Sequence, residues 1–183
     1  MDLNKLIKRV INMLIKPKEE WVDVRLETTT IQDLFLKYAV ILAAIPAVCS
    51  FLGFMFIPYF SHFIGRAFTF MILGYVLGLG AVFLLGFVID ALAPSFGAQK
   101  NLVESMRIAV YSNTAAWVVG VLLLIPHLWV YIVGAIYTSV LLFLGVKTIK
   151  SPPADKEMGY TATIILTYLV ITFIIKLKSK TAF

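Results

Sequence analysis

The chain has 183 residues, of which 61% are hydrophobic and 14% are charged, and its formal net charge is +6. An ordinary soluble domain is roughly 45–50% apolar and about 25% charged, and a chain this short has too much surface for its volume to hide such an excess. Composition therefore excludes an ordinary cytosolic enzyme, a secreted disulfide scaffold and a disordered chain, and it predicts an integral membrane protein. The single cysteine, Cys49, excludes an intrachain disulfide.

Residues 1–33 are predicted to form an amphipathic region on the cytoplasmic side of the membrane. Lys5, Lys8 and Arg9 occupy one face of the first predicted helix, so we expect these cations to lie near anionic lipid headgroups. Packing of this helix against the protein's own loops is the alternative. The apolar face has the i, i+3, i+4 spacing of a helix and consists of Leu3, Leu6, Ile7, Val10, Ile11 and Leu14.

Pro17 ends this first helix and is predicted to begin a second one, which runs to about Leu26. Trp21 lies within it and is expected to be an anchor at the membrane surface. Thr30 precedes a long apolar run and is predicted to cap the next helix.

Five apolar segments predict a transmembrane domain over residues 34–178, followed by a short tail at 179–183. Each segment is close to the ~20 residues that a helix needs to cross a bilayer. A spanning segment must satisfy its own backbone hydrogen bonds in lipid, so the predicted fold class is all-α, a helical bundle. The spans are predicted at about 35–57, 67–89, 108–125, 128–146 and 158–177.

The distribution of basic residues predicts the orientation. Most of the 16 Lys and Arg residues fall on the same predicted side as the N-terminus, which the positive-inside rule places in the cytoplasm. Five spans then put the C-terminus outside, in a cell membrane. The lysines of the C-terminal tail would lie on the cytoplasmic side, as this rule favours, if the chain had four spans. Four spans, however, leave one apolar segment unassigned.

Polar residues at the edges of the spans are the candidates for function, because charge near a bilayer is costly. Asp90 ends the second span and Arg107 begins the third on the same side, so an ion pair between them is expected, with either a structural or a functional role. Tyr111 and Asn113 put a polar turn into the third span. Asn113 is expected to bond to a neighbouring helix or to line a polar pathway with Asp90 and Arg107.

Two further pairs of residues carry weaker predictions. Gly74 and Gly78 form a small-xxx-small motif, which allows close helix packing either within the chain or between two copies. His62 and His127 fall in connections on the same predicted side and could bind a metal or sense pH, but headgroup-level residues bonded to water are the expected outcome.

No catalytic motif is present in the sequence. It lacks the spacings of metalloproteases, of serine hydrolases and of phosphate-binding loops. The charged groups near the spans are few, and we predict a protein that is not an enzyme and that holds no cofactor or metal.

Several stretches, taken in order, resemble the Yip family of Ypt/Rab-interacting membrane proteins, and specifically its prokaryotic branch. The resemblance covers nearly the whole chain. Ala115 stands where members often have Pro after the Tyr-x-x-Thr of the third span, so the chain departs from the family at a position where a kink is expected. The stretches are 16–21 (KPKEEW), 44–53 (AIPAVCSFLG), 89–97 (IDALAPSFG), 109–114 (AVYSNT), 137–147 (YTSVLLFLGVK) and 159–161 (GYT).

The resemblance implies five spans, a cytoplasmic N-terminus and an outward C-terminus. In eukaryotic members it implies vesicle trafficking, Rab binding and membrane shaping, roles that depend largely on longer cytosolic N-terminal regions than residues 1–33. The expected function here is membrane organisation or partner binding, and the alternatives are transport of a solute or ion and lipid handling. The expected partners are the lipid bilayer, a second copy of the chain or another membrane protein, and not nucleic acid.

Overall fold

The computed structural model describes the backbone of residues 3–55, 64–125 and 130–181, and the side chains of these residues apart from 130–131 and 172–181. All regular elements in these ranges are helices. The predicted all-α class is therefore confirmed for the described part of the chain.

Two short helices precede the apolar bundle. Helix α1 spans Leu3–Ile15 and helix α2 spans Pro17–Leu26. Pro17 occupies the first turn of α2, where its missing N–H removes no helical hydrogen bond, and acidic side chains follow it, where they complement the helix dipole. The predicted start and end of this second helix are confirmed.

Four stretches of the described residues are long and apolar enough to cross a membrane. They are Ile31–Met55, Ile64–Phe96, Leu102–Leu124 and Ile132–Lys150. In the order of the chain, we name the first helix α3 (Ile31–Met55), the second α4 (Ile64–Leu92), the two parts of the third α5 (Leu102–Ser112) and α6 (Thr114–Val119), and the fourth α7 (Val130–Gly145).

The last helix, α8, spans Glu157–Thr181 and coincides with the fifth predicted span. Its described side chains make a shorter apolar segment, Glu157–Ile171. That the chain crosses the membrane five times stays a prediction.

Local signals explain where these helices begin and end. The side chain of Thr30 accepts a hydrogen bond from the backbone N–H of Asp33 at 3.1 Å, which confirms the predicted cap of α3. Asn101 accepts one from the N–H of Glu104 at 3.3 Å, so α5 begins at Leu102, before the predicted start of the third span at about 108. Helix α4 continues into a 3₁₀ turn that ends at Gly97, whose φ of 74° suits glycine.

Helix α7 also changes character at its end. It continues into a π-helical turn, Val146–Lys150, and the chain leaves this turn through Ser151, a non-glycine residue with a φ of 43°. Such turns are rare and usually occur as short interruptions of α-helices. The turn places the side chain of Lys150 inside the protein, where it is 1% exposed.

The third spanning stretch lies at the centre of the described bundle. In its most apolar 18 residues, 61% are buried inside the protein, whereas the corresponding share is 28% in each of the first two stretches. Met106, Ile108 and Val110 of α5 are fully buried. The outer helices therefore present much of their apolar surface outward, as expected of helices that face lipid.

Helices α1 and α2, the surface helices, are fixed to the end of this bundle that contains Gly145. We call it the polar end. Tyr137 of α7 donates a hydrogen bond to the carbonyl oxygen of Leu14 at 2.6 Å. Trp21 is fully buried against Gly145. A Cβ added at Gly145 would lie 2.8 Å from two ring carbons of Trp21, so only glycine lets the indole fit there.

We expect Gly145→Ala to lower the free energy of unfolding by about 1–3 kcal/mol, because the packed indole has no room to withdraw. Gly80→Ala is the matched control, since nothing lies within 4 Å of a Cβ at Gly80 among the described residues. It should leave stability unchanged or raise it by up to about 1 kcal/mol, the difference in helix propensity. Thermal unfolding in detergent measures both variants, and equal melting temperatures would contradict the proposed fit of Trp21.

Candidate functional site

Arg9 lies in an ion-pair network that joins α1 to α2. Its Nη1 donates to Glu27 Oε2 at 3.0 Å, and its Nε pairs with Glu20 Oε1 at 2.7 Å. Asn12 donates to the second oxygen of Glu20 at 2.8 Å. The side chains of Arg9 and Glu20 are only 13% and 6% exposed, so solvent screens this network little. The two carboxylates thus replace most of the hydration that the guanidinium loses.

The prediction that Arg9 faces lipid headgroups is wrong, because its guanidinium points into the protein. Burial acts to lower the pKa of Arg9, but the hydrogen bond to Glu27 and the nearby charges raise it above the ordinary arginine value. Arg9 therefore stays charged at physiological pH and serves as an internal connector. Lys5 and Lys8 are exposed, and their contact with headgroups stays a prediction.

Trp21 is likewise not a membrane-surface anchor, since it is fully buried in the protein. Its ring meets Tyr111 edge-on, with centroids 6.4 Å apart. No local pattern in α2 indicates that Trp21 is buried, because the glycine it packs against, Gly145, lies 124 positions further along the chain.

Tyr111 is the side chain on which four helices meet. The guanidinium of Arg9 lies 5.2 Å above its ring centroid, a cation–π distance. The ring of Tyr38 from α3 meets it edge-on at 4.8 Å, and Trp21 of α2 meets it from another side. Tyr111 is 3% exposed, and its ring is therefore held from several directions.

The polar turn predicted around Asn113 interrupts the third spanning stretch. Asn113 separates α5 from α6, and its side chain donates to the carbonyl oxygen of Ala109 at 2.8 Å, one turn back on its own helix. The expected bond to a neighbouring helix is therefore wrong for Asn113. The neighbouring residue Thr114 makes the bond to another helix. Its hydroxyl donates its one hydrogen to the carbonyl oxygen of Tyr111 at 2.6 Å. It therefore accepts from the hydroxyl of Tyr38 on α3, at 2.8 Å.

Asp90 and Arg107 do not form the expected ion pair, because they lie against different partners. Arg107 is 8% exposed, its Nη1 donates to the carbonyl oxygen of Val24 at 3.3 Å, and its Nε has no partner in the described part of the chain. Asp90 Oδ1 instead accepts from the backbone N–H of Asn101 at 2.8 Å and from the hydroxyl of Ser105 at 3.1 Å.

Lys150 is the cation that faces Asp90. Its Nζ lies 3.7 Å from Asp90 Oδ1 and 3.6 Å from Glu104 Oε2, and it donates to the carbonyl oxygens of Gln99 and Asn101, each at 3.0 Å. In the sequence, Lys150 lies beyond the fourth predicted span, at 128–146. No local pattern shows that an apolar helix would carry this ammonium to two carbonyls about fifty residues earlier.

The glycine motif of the second span does not pack against another described helix. Nothing in the described residues lies within 4 Å of a Cβ at Gly74 or Gly78, so close packing within the chain is not observed there. Close approaches occur instead at glycines such as Gly53, where a Cβ would clash with the backbone oxygen of Leu123, and Gly120, where a Cβ would lie 2.6 Å from Pro46 Cβ. Dimerisation through Gly74 and Gly78 stays a prediction.

Among the described residues, no group of three His, Cys, Asp or Glu side chains is close enough to hold an ion. His62 and His127 lie outside these residues. Cys49 is half-buried in α3 as a free thiol.

A cavity of about 160 Å³ opens at the polar end, where the segment before α3 meets α3 and α5. It has polar residues on its walls, and a charged pair, Asp33 and Lys37, lies among them. Asp90, Arg107 and Asn113 do not line it. Its lining residues are Thr29, Asp33, Leu34, Lys37, Tyr38 and Tyr111.

We expect Lys150→Met to lower the free energy of unfolding by about 2–3 kcal/mol. The change leaves two partly buried carboxylates without their cation. Removing one partner of such a pair destabilises the protein by more than the intact pair stabilises it. Lys147→Met is the matched control three residues earlier, because the Lys147–Glu157 pair at 2.9 Å is more exposed and should contribute only about 0–1 kcal/mol. Thermal unfolding compares the two, and equal losses would contradict a structural role for the Lys150 cluster.

Comparison with known proteins places these features in a family. The model of the Yip1 domain matches residues 11–175. The chain is also similar to the inner membrane protein YohC of Escherichia coli strain K12 and to the protein of the same name in E. coli O6:H1 strain CFT073. Each is 25% identical over 185 residues, which cover 93% of this chain and 94% of the relative. No solved structure matches the chain. The resemblance noted in the sequence is confirmed, and the chain belongs to the Yip1 domain family as a multi-pass membrane protein.

Proposed function

We propose that the protein organises the membrane without catalysing a reaction, and that α1 and α2 form a rigid wedge at the bilayer surface. The observation that carries this proposal is the divided apolar face of α1. Leu6 and Met13 are buried against the protein, whereas an adjacent line of apolar side chains is exposed. That line consists of Leu3, Ile7, Ile11 and Ile15, which are 64%, 47%, 48% and 72% exposed.

The spacing of the exposed residues suits insertion into a headgroup layer. They recur at every fourth position and therefore form one edge of the helix. Burying a Leu or Ile side chain that water would otherwise surround contributes about 1.5–3 kcal/mol. The adjoining Lys5 and Lys8 would add about 1 kcal/mol each near an anionic surface. The two alternatives for α1, contact with lipid and packing against the protein, thus both apply, because one edge of the helix packs on the protein and the other would contact lipid.

The attachment of α1 and α2 is what makes a wedge of this surface. A helix on a flexible tether could bind the membrane without changing the bundle. Here the Arg9 network, the Trp21 contact and the bond from Tyr137 hold both helices to the polar end. Insertion of the exposed edge would therefore impose a fixed depth and tilt on the whole protein.

We place the wedge in the cytoplasmic leaflet of the cell membrane, in accordance with the positive-inside rule. The structure brings three predicted cytoplasmic regions together at the polar end: α1–α2, the turn after α4, and the end of α7. Their shared location supports one orientation for all three. The relatives are described as inner membrane proteins, which agrees with a cell-membrane location.

Transport is the weaker proposal, because it requires Asp90, Arg107 and Asn113 to line a common path. Each of the three instead has separate partners among the described residues. The charged groups of the polar end are also engaged with one another, which leaves few free groups for acid–base chemistry.

Reconstitution into vesicles that contain anionic lipid tests the wedge. We expect the double variant Ile7→Ser/Ile11→Ser to lose the vesicle deformation that the wild-type protein produces, because it no longer inserts the exposed edge. The double variant Ile7→Leu/Ile11→Leu is the matched control, since it keeps the apolar area and should deform vesicles as the wild type does. Electron cryomicroscopy of vesicle diameters is the measurement. Identical diameters for all three proteins, with unchanged melting temperatures, would rule out this function.

A further inference from the structure

The cavity at the polar end has the size and the position of a site for a lipid headgroup. Its volume of about 160 Å³ is below the ~300 Å³ at which sites for drug-sized ligands begin. Asp33 and Lys37 lie in the first two turns of the spanning helix α3. The start of a spanning helix lies at the level of the headgroups, so the mouth of the cavity faces the layer in which phosphates and amines are concentrated.

Tyr111 supplies an unpaired hydroxyl to this cavity. The side chain is 3% exposed and lines the cavity, yet its hydroxyl makes no hydrogen bond to the described residues. The hydroxyl oxygen is not one of the fully enclosed polar atoms that lack a partner, so it is open to the cavity, whereas the hydroxyls of Tyr38 and Tyr160 bond to the protein. Arg9 over the face of the Tyr111 ring and Tyr38 at its edge hold the ring in place, so the hydroxyl cannot turn to another partner. An occupant of the cavity would satisfy it.

The charges at the mouth define the chemistry of that occupant. Lys37 Nζ and Asp33 Oδ1 lie 2.5 Å apart, and both side chains are about half exposed. A simple anion would be attracted by Lys37 but repelled by Asp33. A group that carries a phosphate and an ammonium on neighbouring atoms can pair with both, its phosphate with Lys37 and its ammonium with Asp33.

The carboxylate of Asp33 also selects the kind of ammonium. A primary ammonium donates hydrogen bonds to a carboxylate such as Asp33, whereas a quaternary ammonium cannot. The hydroxyls of Thr29 and Tyr111 can donate to the phosphate from the cavity wall. The complementary group is therefore phosphoethanolamine, not phosphocholine and not a purely anionic headgroup.

Exposed apolar side chains close in sequence to the lining residues favour an intact lipid over a free headgroup. Leu36 is adjacent to Lys37 and is 58% exposed, and Leu26 at the end of α2 is 78% exposed. Acyl chains of a lipid bound at the cavity could lie along these residues and remove their surface from water. We propose that the cavity binds the phosphoethanolamine headgroup of a phospholipid.

Binding is tested on the full chain in detergent, by native mass spectrometry with short-chain phosphatidylethanolamine and with the matching phosphatidylcholine and phosphatidylglycerol. We expect the ethanolamine lipid to bind at least about fivefold more tightly than the other two, because it alone satisfies Asp33, Lys37 and the Tyr111 hydroxyl together. Equal affinity for the three lipids would overturn the proposal.

Tyr111→Phe should weaken binding of the ethanolamine lipid about fivefold, the typical effect of losing one hydrogen bond, and should keep the packing of the ring. Tyr75→Phe is the matched control, because that hydroxyl bonds to the carbonyl oxygen of Val40 and Tyr75 does not line this cavity. It should bind the lipid as the wild type does. Wild-type affinity in Tyr111→Phe would also overturn the proposal.

Two further experiments test the roles of Lys37 and Asp33 and whether the headgroup comes from an intact lipid. Lys37→Gln changes an exposed side chain, should fold normally and should weaken binding, whereas Asp33→Asn should abolish the preference for ethanolamine over choline. Glycerophosphoethanolamine tests the free headgroup, and an affinity equal to that of the lipid would overturn the assignment to a phospholipid. None of these variants alters Ile7 or Ile11, so the headgroup site and the wedge can fail separately.

Discussion

A guanidinium withdrawn from water is costly unless carboxylates and hydrogen bonds replace its hydration. Arg9 meets this requirement through Glu20, Glu27 and the face of Tyr111, and the arrangement of the polar end depends on it. The network fixes α1 against α2 and orients the Tyr111 ring. That ring in turn contacts Trp21 and Tyr38, so the surface helices and the spanning helices share one centre. Both the exposed edge of α1 and the cavity beside α3 are positioned by these contacts.

The ammonium of Lys150 provides a second connection of the same physical kind. It joins the end of α7 to the segment between α4 and α5, as Arg9 joins α1 to α2. In each case one cation lies between two carboxylates from other parts of the chain. A membrane protein gains little from apolar packing against lipid, because lipid chains are as apolar as its own side chains. Paired charges at the headgroup level can therefore specify the arrangement of the helices where apolar contacts do not.

Features set by local spacing could be predicted from the sequence, whereas features set by distant partners could not. The helical period of α1, the start of α2 at Pro17 and the Thr30 cap depend on neighbours within a few residues, and the structure has all of them. Both sides of the apolar face of α1 consist of large apolar residues, so the sequence does not show which side the protein covers. Gly74 and Gly78 match a packing motif, yet the glycine that admits a ring is Gly145, which is part of no such motif. Family membership does not resolve this either, because the match begins at residue 11, after Leu3, Ile7 and Arg9.

The π-helical turn Val146–Lys150 makes the angular phase of α7 sensitive to chain length. Each residue of an α-helix turns the chain by about 100°. Deleting one residue between Gly145 and Lys150 would therefore move the ammonium away from its position beside Asp90 and Glu104. Ser151, in its left-handed conformation, breaks the helix immediately afterwards and isolates the following segment from that rotation. A change of chain length after this serine would thus leave Lys150 in place, whereas a change within the preceding turn would displace its ammonium.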